Sequence, residues 1–194
     1  MKNKSIIKEA FDKLTKEEGF VPKSEQDVVC LLYKFIYDEL KKTNSKLKKT
    51  NSKKKVYANL RLGGLKGKKN KKNKMRFIDI VIVDTESDKT KAKGVSEIVS
   101  EIAEVKCILE THSAQQKSRQ REGVKKDLKK IFGNNKIITN YLKNRRARPI
   151  PKSNRFMLIY ISKSLLKNER DKIQKIIKKF KYYKKNIIIN NLES

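Results

Sequence analysis

Two opposite charges stand two positions apart inside an apolar run in "IAEVKCIL", residues 102–109. Glu104 and Lys106 lie between Ile102–Ala103 on one side and Cys107–Leu109 on the other. A run of this kind reads as a strand, and on a strand residues two apart share a face. Glu104 and Lys106 therefore project together, and Val105 points away. A second acid, Asp79, occupies the middle of another apolar run, "FIDIVIV", 25 positions earlier. Burying two such acids is unfavourable unless something neutralises them. A divalent cation would do so, and so would Lys106. A third acid, Glu25, stands at i with Val28, Val29, Leu32 and Ile36 at i+3, i+4, i+7 and i+11. That spacing continues a helical stripe and turns Glu25 toward the sheet. Each acid also has an ordinary reading. Glu25 suits the first turn of a helix, and Asp79 could pair with Arg76 or Lys106. The tripeptide "ELK" at residues 39–41 satisfies the same E-x-K spacing at the expected end of a helix, without the apolar flanks.

The elements that would position these groups follow from changes of period. "SIIKEAFDKLTKEE" sets Ile6, Ile7, Ala10, Phe11 and Leu14 at helical spacing, with Ser5 as N-cap and Gly19 as a stop, so residues 1–20 hold an N-terminal helix. Ser24 opens a stronger helix, "EQDVVCLLYKFIYDELKK". Residues 41–55, in which KKTNSK occurs twice, contain eight lysines and no acid and read as a solvated basic loop, because Leu47 is their only apolar residue. "KVYANLRL" then alternates as a half-buried strand. Residues 66–74, with six lysines, form a basic turn before the strand "MRFIDIVIVD", and a mostly loop stretch leads to the strand "SEIAEVKCIL". An amphipathic helix, "SRQREGVKKDLKKIFG", carries Val124, Leu128, Ile131 and Phe132 on one side and basic residues on the other, with Gly133 ending it. The remainder reads helix "IITNYLKN", basic loop, strand "RFMLIYIS", helix "NERDKIQKIIKKFKYY" and strand "NIIIN". The expected architecture is α/β: a central mixed β-sheet flanked by helices on both faces, in one domain spanning residues 1–194.

Composition narrows the partners. With 51 Lys and Arg against 21 Asp and Glu the net charge is +30, which attracts a polyanion and repels basic partners. The excess is not confined to the two lysine-rich segments. Cys30 and Cys107 each sit in an apolar stretch and read as buried free thiols of a reducing compartment. No run is long and apolar enough for a signal peptide or a membrane span, so the expectation is the cytoplasm, with no membrane contact. His112 is the single histidine, placed just past the third strand as an exposed polar residue. That argues against nuclease classes that need a histidine base within an H-N-H motif and against a well-supported Ser-His-Asp triad. There is no P-loop and no dinucleotide fingerprint, since "GGLKGKKNK" leads into a strand.

From about Ser24 onward the chain resembles the restriction-endonuclease-like, or PD-(D/E)XK, nuclease superfamily. The order is helix with a glutamate, strand hairpin bearing Asp79, strand bearing Glu104-x-Lys106, helix, strand, helix and strand. The resemblance implies a restriction-endonuclease-like core and a Mg²⁺ site, with Mn²⁺ as a possible substitute. Asp79 and Glu104 would be the metal-binding carboxylates, with the Val105 carbonyl beside them. Lys106 would contact the attacking water or the scissile phosphate, and Glu25 would be the extra helical acid. Lys117, Arg119, Arg121, Lys125, Lys126 and Lys129, in and before the amphipathic helix, fall where such enzymes grip DNA. There are departures: Ile78 rather than Pro precedes Asp79, the loop to Glu104 is long, and no Q-x-x-x-Y follows the E-x-K strand, so the RecB-like exonuclease branch is not supported.

The first expectation is thus a Mg²⁺-dependent endonuclease that hydrolyses DNA phosphodiester bonds, restriction-type and homodimeric. The alternatives are a structure-specific repair or recombination nuclease of the junction-resolvase kind, and a non-catalytic nucleic-acid-binding protein.

Overall fold

The structure, a computed structural model, describes residues 5–46, 52–62, 76–86, 96–132 and 150–190. Among these, helices α1 (Ile6–Thr15) and α2 (Glu25–Lys46) precede strands β1 (Ser52–Leu62), β2 (Arg76–Glu86) and β3 (Ser96–Ile108). Helix α3 (Ala114–Phe132), β4 (Arg155–Ile161), α4 (Leu166–Ile177) and β5 (Ile187–Ile189) follow. The strands form one sheet in the order β1-β2-β3-β4-β5. The first three run antiparallel, and β3, β4 and β5 are parallel. The architecture is therefore α/β with a mixed sheet, as the alternation of strand and helix patterns leads one to expect.

The alternation of side chains along each strand sorts the core into two layers. Ala103, Val105, Cys107 and Leu109 of the β3 segment face α1 and α2, together with Ile80, Ile82, Phe156, Leu158 and Tyr160. Ile108, Met157, Ile159 and Ile161 face α3 and α4, whose Val124, Leu128, Ile131, Leu166 and Ile173 are buried against them. Glu104 and Lys106 share parity with Ile108 and so lie on the α3 side. Helix α1 is docked by Glu101, which has the parity of Ala103. Its buried carboxylate accepts the Ser5 hydroxyl at 2.5 Å and the N–H groups of Ile6 and Ile7 at 3.4 and 3.5 Å.

Several boundaries differ from the sequence reading. The basic loop expected over residues 41–55 is shorter, because α2 runs on to Lys46 and β1 begins at Ser52. Lysine is a good helix former, and Asn44 ties the last turn to the strand, accepting from the Lys54 N–H at 3.0 Å and donating to the Lys54 carbonyl at 2.9 Å. For the same reason "ELK" lies within the helix and not at its end. Strand β1 alternates only in part: Val56 is buried but Ala58 is exposed, and Asn59 takes a left-handed backbone (φ 50°) that asparagine tolerates. Strand β3 begins at Ser96. Helix α3 begins at Ala114, where Ser113 and Gln116 cap each other: the Gln116 N–H donates to Ser113 Oγ (3.2 Å) and the Ser113 N–H to Gln116 Oε1 (2.7 Å). Helix α4 yields at Lys178 to a 3₁₀ segment, with Phe180 outside helical angles (φ −117°, ψ 34°). Cys107 is buried but Cys30 is exposed, since its position steps about 200° around α2 from the buried Val28. The expected basic turn at 66–74 and helix at 137–144 lie outside the described residues.

Candidate active site

Glu25 is placed by a reciprocal cap. The Asp27 N–H donates to Ser24 Oγ (3.3 Å), while Asp27 Oδ2 accepts the N–H groups of Ser24 (2.9 Å) and Lys23 (2.8 Å). This fixes the first turn of α2 and leaves Glu25 free to point elsewhere. Asp79 and the E-x-K residues are placed by the parting of two strands. The β2–β3 ladder ends at Ile80↔Ala103. Beyond that pair β3 continues against β4, with Glu104↔Met157 and Lys106↔Ile159, and β2 continues against β1, with Leu60↔Ile78. At the parting, Asp79 Oδ2 accepts the main-chain N–H of Val105 at 2.7 Å.

Lys106 joins the elements. Its Nζ lies 3.0 Å from Glu25 Oε1, 3.2 Å from Asp127 Oδ2 and 3.0 Å from the Val105 carbonyl oxygen, to which it donates. Lys130 Nζ contacts Glu104 Oε1. Helix α3 approaches closely because residue 123 is glycine: a Cβ there would stand 3.2 Å from Lys106 Cε. The four residues singled out from the sequence, Glu25, Asp79, Glu104 and Lys106, thus belong to one cluster.

Two members were not foreseen in these roles. Asp127 sits in "VKKDLKK" and reads as a surface acid among lysines, and Lys130 reads as one of many surface cations. The available signal is spacing. Gly123, Asp127 and Lys130 stand at i, i+4 and i+7, one residue behind the buried stripe Val124, Leu128 and Ile131, so they border the buried face.

Burial and like charge dominate the electrostatics. Burial, with the neighbouring Asp79 charge, pushes the Glu104 carboxyl up to about 8 against the pull of Lys130. Burial likewise raises Asp79, opposed by the Val105 N–H and Lys106, and raises Glu25, opposed by Lys106. Burial alone would lower Lys106, but Glu25, Asp127 and Asp79 outweigh it and hold the ammonium above its ordinary value. Burial and the charge of Glu25 push the Cys107 thiol up to about 12, so it is no nucleophile. His112 is half-buried, not exposed. Its Nδ1 accepts the Leu109 N–H at 3.2 Å, which gives it a place in the turn after β3.

The donor chemistry suits a hard cation. Four carboxylates, Glu25, Asp79, Glu104 and Asp127, face two ammonium groups, Lys106 and Lys130, and the surplus of negative charge adds to the burial that raises Glu104. Among the described residues no three acidic, histidine or cysteine side chains converge as a self-sufficient metal cage. Two carboxylates and the Val105 carbonyl are a smaller set, of the kind that holds Mg²⁺ while the ion keeps several waters.

The expected DNA-gripping residues divide. Arg119, Lys126 and Lys129 are exposed along α3, and Lys117 and Lys125 are half-buried. Lys125 lies 3.8 Å from Glu122. Arg121 is committed to the fold, its Nη1 standing 2.7 Å from Oε2 of the buried Glu169 on α4. Lys172, one turn along α4, donates to Glu169 Oε1 at 2.9 Å, and the hydrogen bonds from Lys172 and Arg121 overcome burial and hold Glu169 below the ordinary carboxylate range. Among the described residues no helix is long and apolar enough to cross a membrane. The chain matches no protein-family model, no curated protein and no solved structure.

Proposed function

We propose that the chain is a Mg²⁺-dependent endonuclease of the restriction-endonuclease-like, PD-(D/E)XK kind that hydrolyses DNA phosphodiester bonds. The observation that carries the reading is convergence. Acids from three separate segments, Glu25, Asp79 and Glu104, meet the single lysine of the E-x-K run where β2 and β3 part. Asp79 and Glu104, with the Val105 carbonyl, hold the cation. Bound Mg²⁺ supplies polarisation of the phosphoryl oxygen and a more acidic water. Lys106 orients that water or the scissile phosphate and offsets developing negative charge. Glu25 and Asp127 fix the Lys106 ammonium from two sides. Each subunit supplies one site, so cutting both strands of a duplex calls for a homodimer. The strongly basic chain supplies the attraction to phosphate.

One observation favours a second reading. The ion pairs Lys106–Glu25, Lys106–Asp127 and Lys130–Glu104 neutralise much of the cluster without metal, as a non-catalytic nucleic-acid-binding protein would require. Plasmid and branched DNA incubated with the purified chain in Mg²⁺ or EDTA, beside Asp79→Ala and Lys106→Ala, separates the two. The enzyme reading expects wild-type cleavage that EDTA abolishes and that each substitution reduces by about 10²-fold or more. Preferential cutting of branched DNA marks the repair or recombination class. Absence of cleavage on every substrate with Mg²⁺ or Mn²⁺, or equal cleavage by all three proteins, overturns it.

A further inference from the structure

A cleft of about 550 Å³ opens just past β3, within the size range of sites that take a small organic group. Buried Leu109 and Tyr160 line it at the carboxyl ends of the parallel strands β3 and β4, where open α/β sheets receive ligands. The loop between α1 and α2 supplies another part of the lining. Gly19 turns there with φ 76°, Phe20 packs edge-on against the Tyr160 ring (centroids 6.1 Å apart, 74° between planes), and Pro22 is buried. Between Phe20 and Pro22, Val21 stays 81% exposed. Tyr160 is only 8% exposed, yet its hydroxyl enters no hydrogen bond among the described residues. Two chain paths tie the cleft to the cluster: Lys106 precedes Leu109, and Pro22 precedes Glu25, by three residues each. Three residues of extended chain span about 10 Å, the axial length of about three stacked nucleotides. Charge selects the part of a nucleic acid that fits. The lining carries two carboxylates, Glu17 and Glu110, and one ammonium, Lys163. That balance disfavours a phosphate and suits an uncharged base, whose amino N–H groups a carboxylate accepts and whose face stacks on aromatic rings.

We propose that this cleft receives one unstacked base of the bound DNA, from a nucleotide within about three steps of the scissile phosphate, while Val21 fills the gap left in the stack. This rests on reading the chain as a DNA-cutting enzyme with its cation at Asp79 and Glu104. An apolar side chain inserted at a base step parts the stack, and contact of the extruded base with Phe20, Tyr160 and the Tyr160 hydroxyl offsets the cost. A base with no pairing partner is easier to extract, so the chain favours DNA that carries one.

The test is duplex binding by the full chain in EDTA, where nothing is cut, read by fluorescence anisotropy. Three duplexes of one sequence are compared: fully paired, with one adenine opposite an abasic residue, and with abasic residues in both strands at that position. Wild type should bind the unpaired adenine about tenfold more tightly than either of the others. Thr111→Trp, which puts a large side chain into the cleft from an exposed position, should abolish the advantage of adenine over the doubly abasic duplex. Tyr160→Phe keeps the packing, removes the hydroxyl and should lower that advantage about threefold. Val21→Ser should instead weaken binding to both duplexes that contain an abasic residue and leave the paired duplex near wild type. Circular dichroism checks folding, and Tyr160→Phe decides if Thr111→Trp does not fold. No advantage for adenine, or one that survives the deciding substitution, overturns the proposal and leaves the nuclease reading intact when wild type binds and cleaves with Mg²⁺. A changed sedimentation of the free substituted chain with unchanged DNA preference gives the cleft to a second copy of the chain and overturns it as well. Failure to bind any of the duplexes, with no cleavage in Mg²⁺ or Mn²⁺, overturns both.

Discussion

At the scale of single residues, Glu104 gives the site a pH dependence whose sign can be worked out. Its folded carboxyl titrates near 8 against an ordinary 4.5, so between those values the folded chain holds a proton that the unfolded chain has lost. Stability therefore falls as pH rises through that interval. Glu25 and Asp79, also raised, act in the same direction. Lys106, raised above 10.5, contributes stability that is fully present below that value and gives no slope near neutrality. Glu169, lowered below 4.5, loses its contribution only on acidification. His112, lowered from 6.5 by burial and by Lys117, opposes the trend only below 6.5. In EDTA, then, stability should fall by about 1–2 kcal/mol between pH 6.5 and 8. Glu104→Gln should flatten that slope, and saturating Mg²⁺ should reduce it by favouring the ionised carboxylate. Melting curves across that range decide the matter, and a flat wild-type profile, or an equal slope in Glu104→Gln, contradicts the assignment of the shift to Glu104.

At the scale of elements, period separated strands from helices well but placed their ends poorly. The apolar flanks of Glu104 and Asp79 marked β3 and β2, and the stripe from Val28 to Ile36 marked α2, because burial imposes period 2 or 3.6 directly on the sequence. Ends are set by polar groups with no such period. Ser113 and Gln116 start α3 before Ser118, and Asn44 carries α2 across a run of lysines that looks like loop. The same blindness applies to side chains at the edge of a buried face. Asp127 and Lys130 join the cluster through a row one residue out of step with the apolar stripe, and Arg121, expected from the sequence to grip DNA, is paired with Glu169 on α4. Arg121→Ala leaves the buried Glu169 carboxylate paired with Lys172 on its own helix. It should cost about 1–3 kcal/mol of folding stability, the penalty for removing a charged hydrogen-bond partner, with little change in DNA affinity per folded molecule. Lys126→Ala and Lys129→Ala, on the exposed side of the neighbouring turn, should do the reverse. Chemical denaturation alongside duplex titration checks both, and a loss of affinity in Arg121→Ala matching that of Lys126→Ala would return Arg121 to the DNA-contacting face.

At the scale of the whole molecule, a net charge of +30 makes two responses to salt that run in opposite directions. Within the chain the excess charge repels itself, so screening favours the compact state. Toward a polyanion the same charge displaces condensed counterions, so added salt weakens association in proportion to the number of phosphates neutralised. Lys117, Arg119, Lys125, Lys126 and Lys129 lie along α3, the helix that carries Asp127 and Lys130, so one approach of the duplex to that helix can serve both phosphate contact and the proposed metal site. Raising salt from about 50 to 200 mM should therefore raise the melting temperature while lowering duplex affinity by about 10²–10³-fold, the loss expected for roughly five phosphate contacts. Replacing Lys126 and Lys129 together should reduce the slope of log affinity against log salt by about two. Duplex affinity measured in EDTA should keep most of this dependence even though cleavage is abolished, because phosphate contact and metal chemistry use different side chains. A salt slope near zero would mean that the positive charge meets no polyanion, and an affinity that collapses in EDTA would place the main binding energy at the Asp79–Glu104 site instead of along α3.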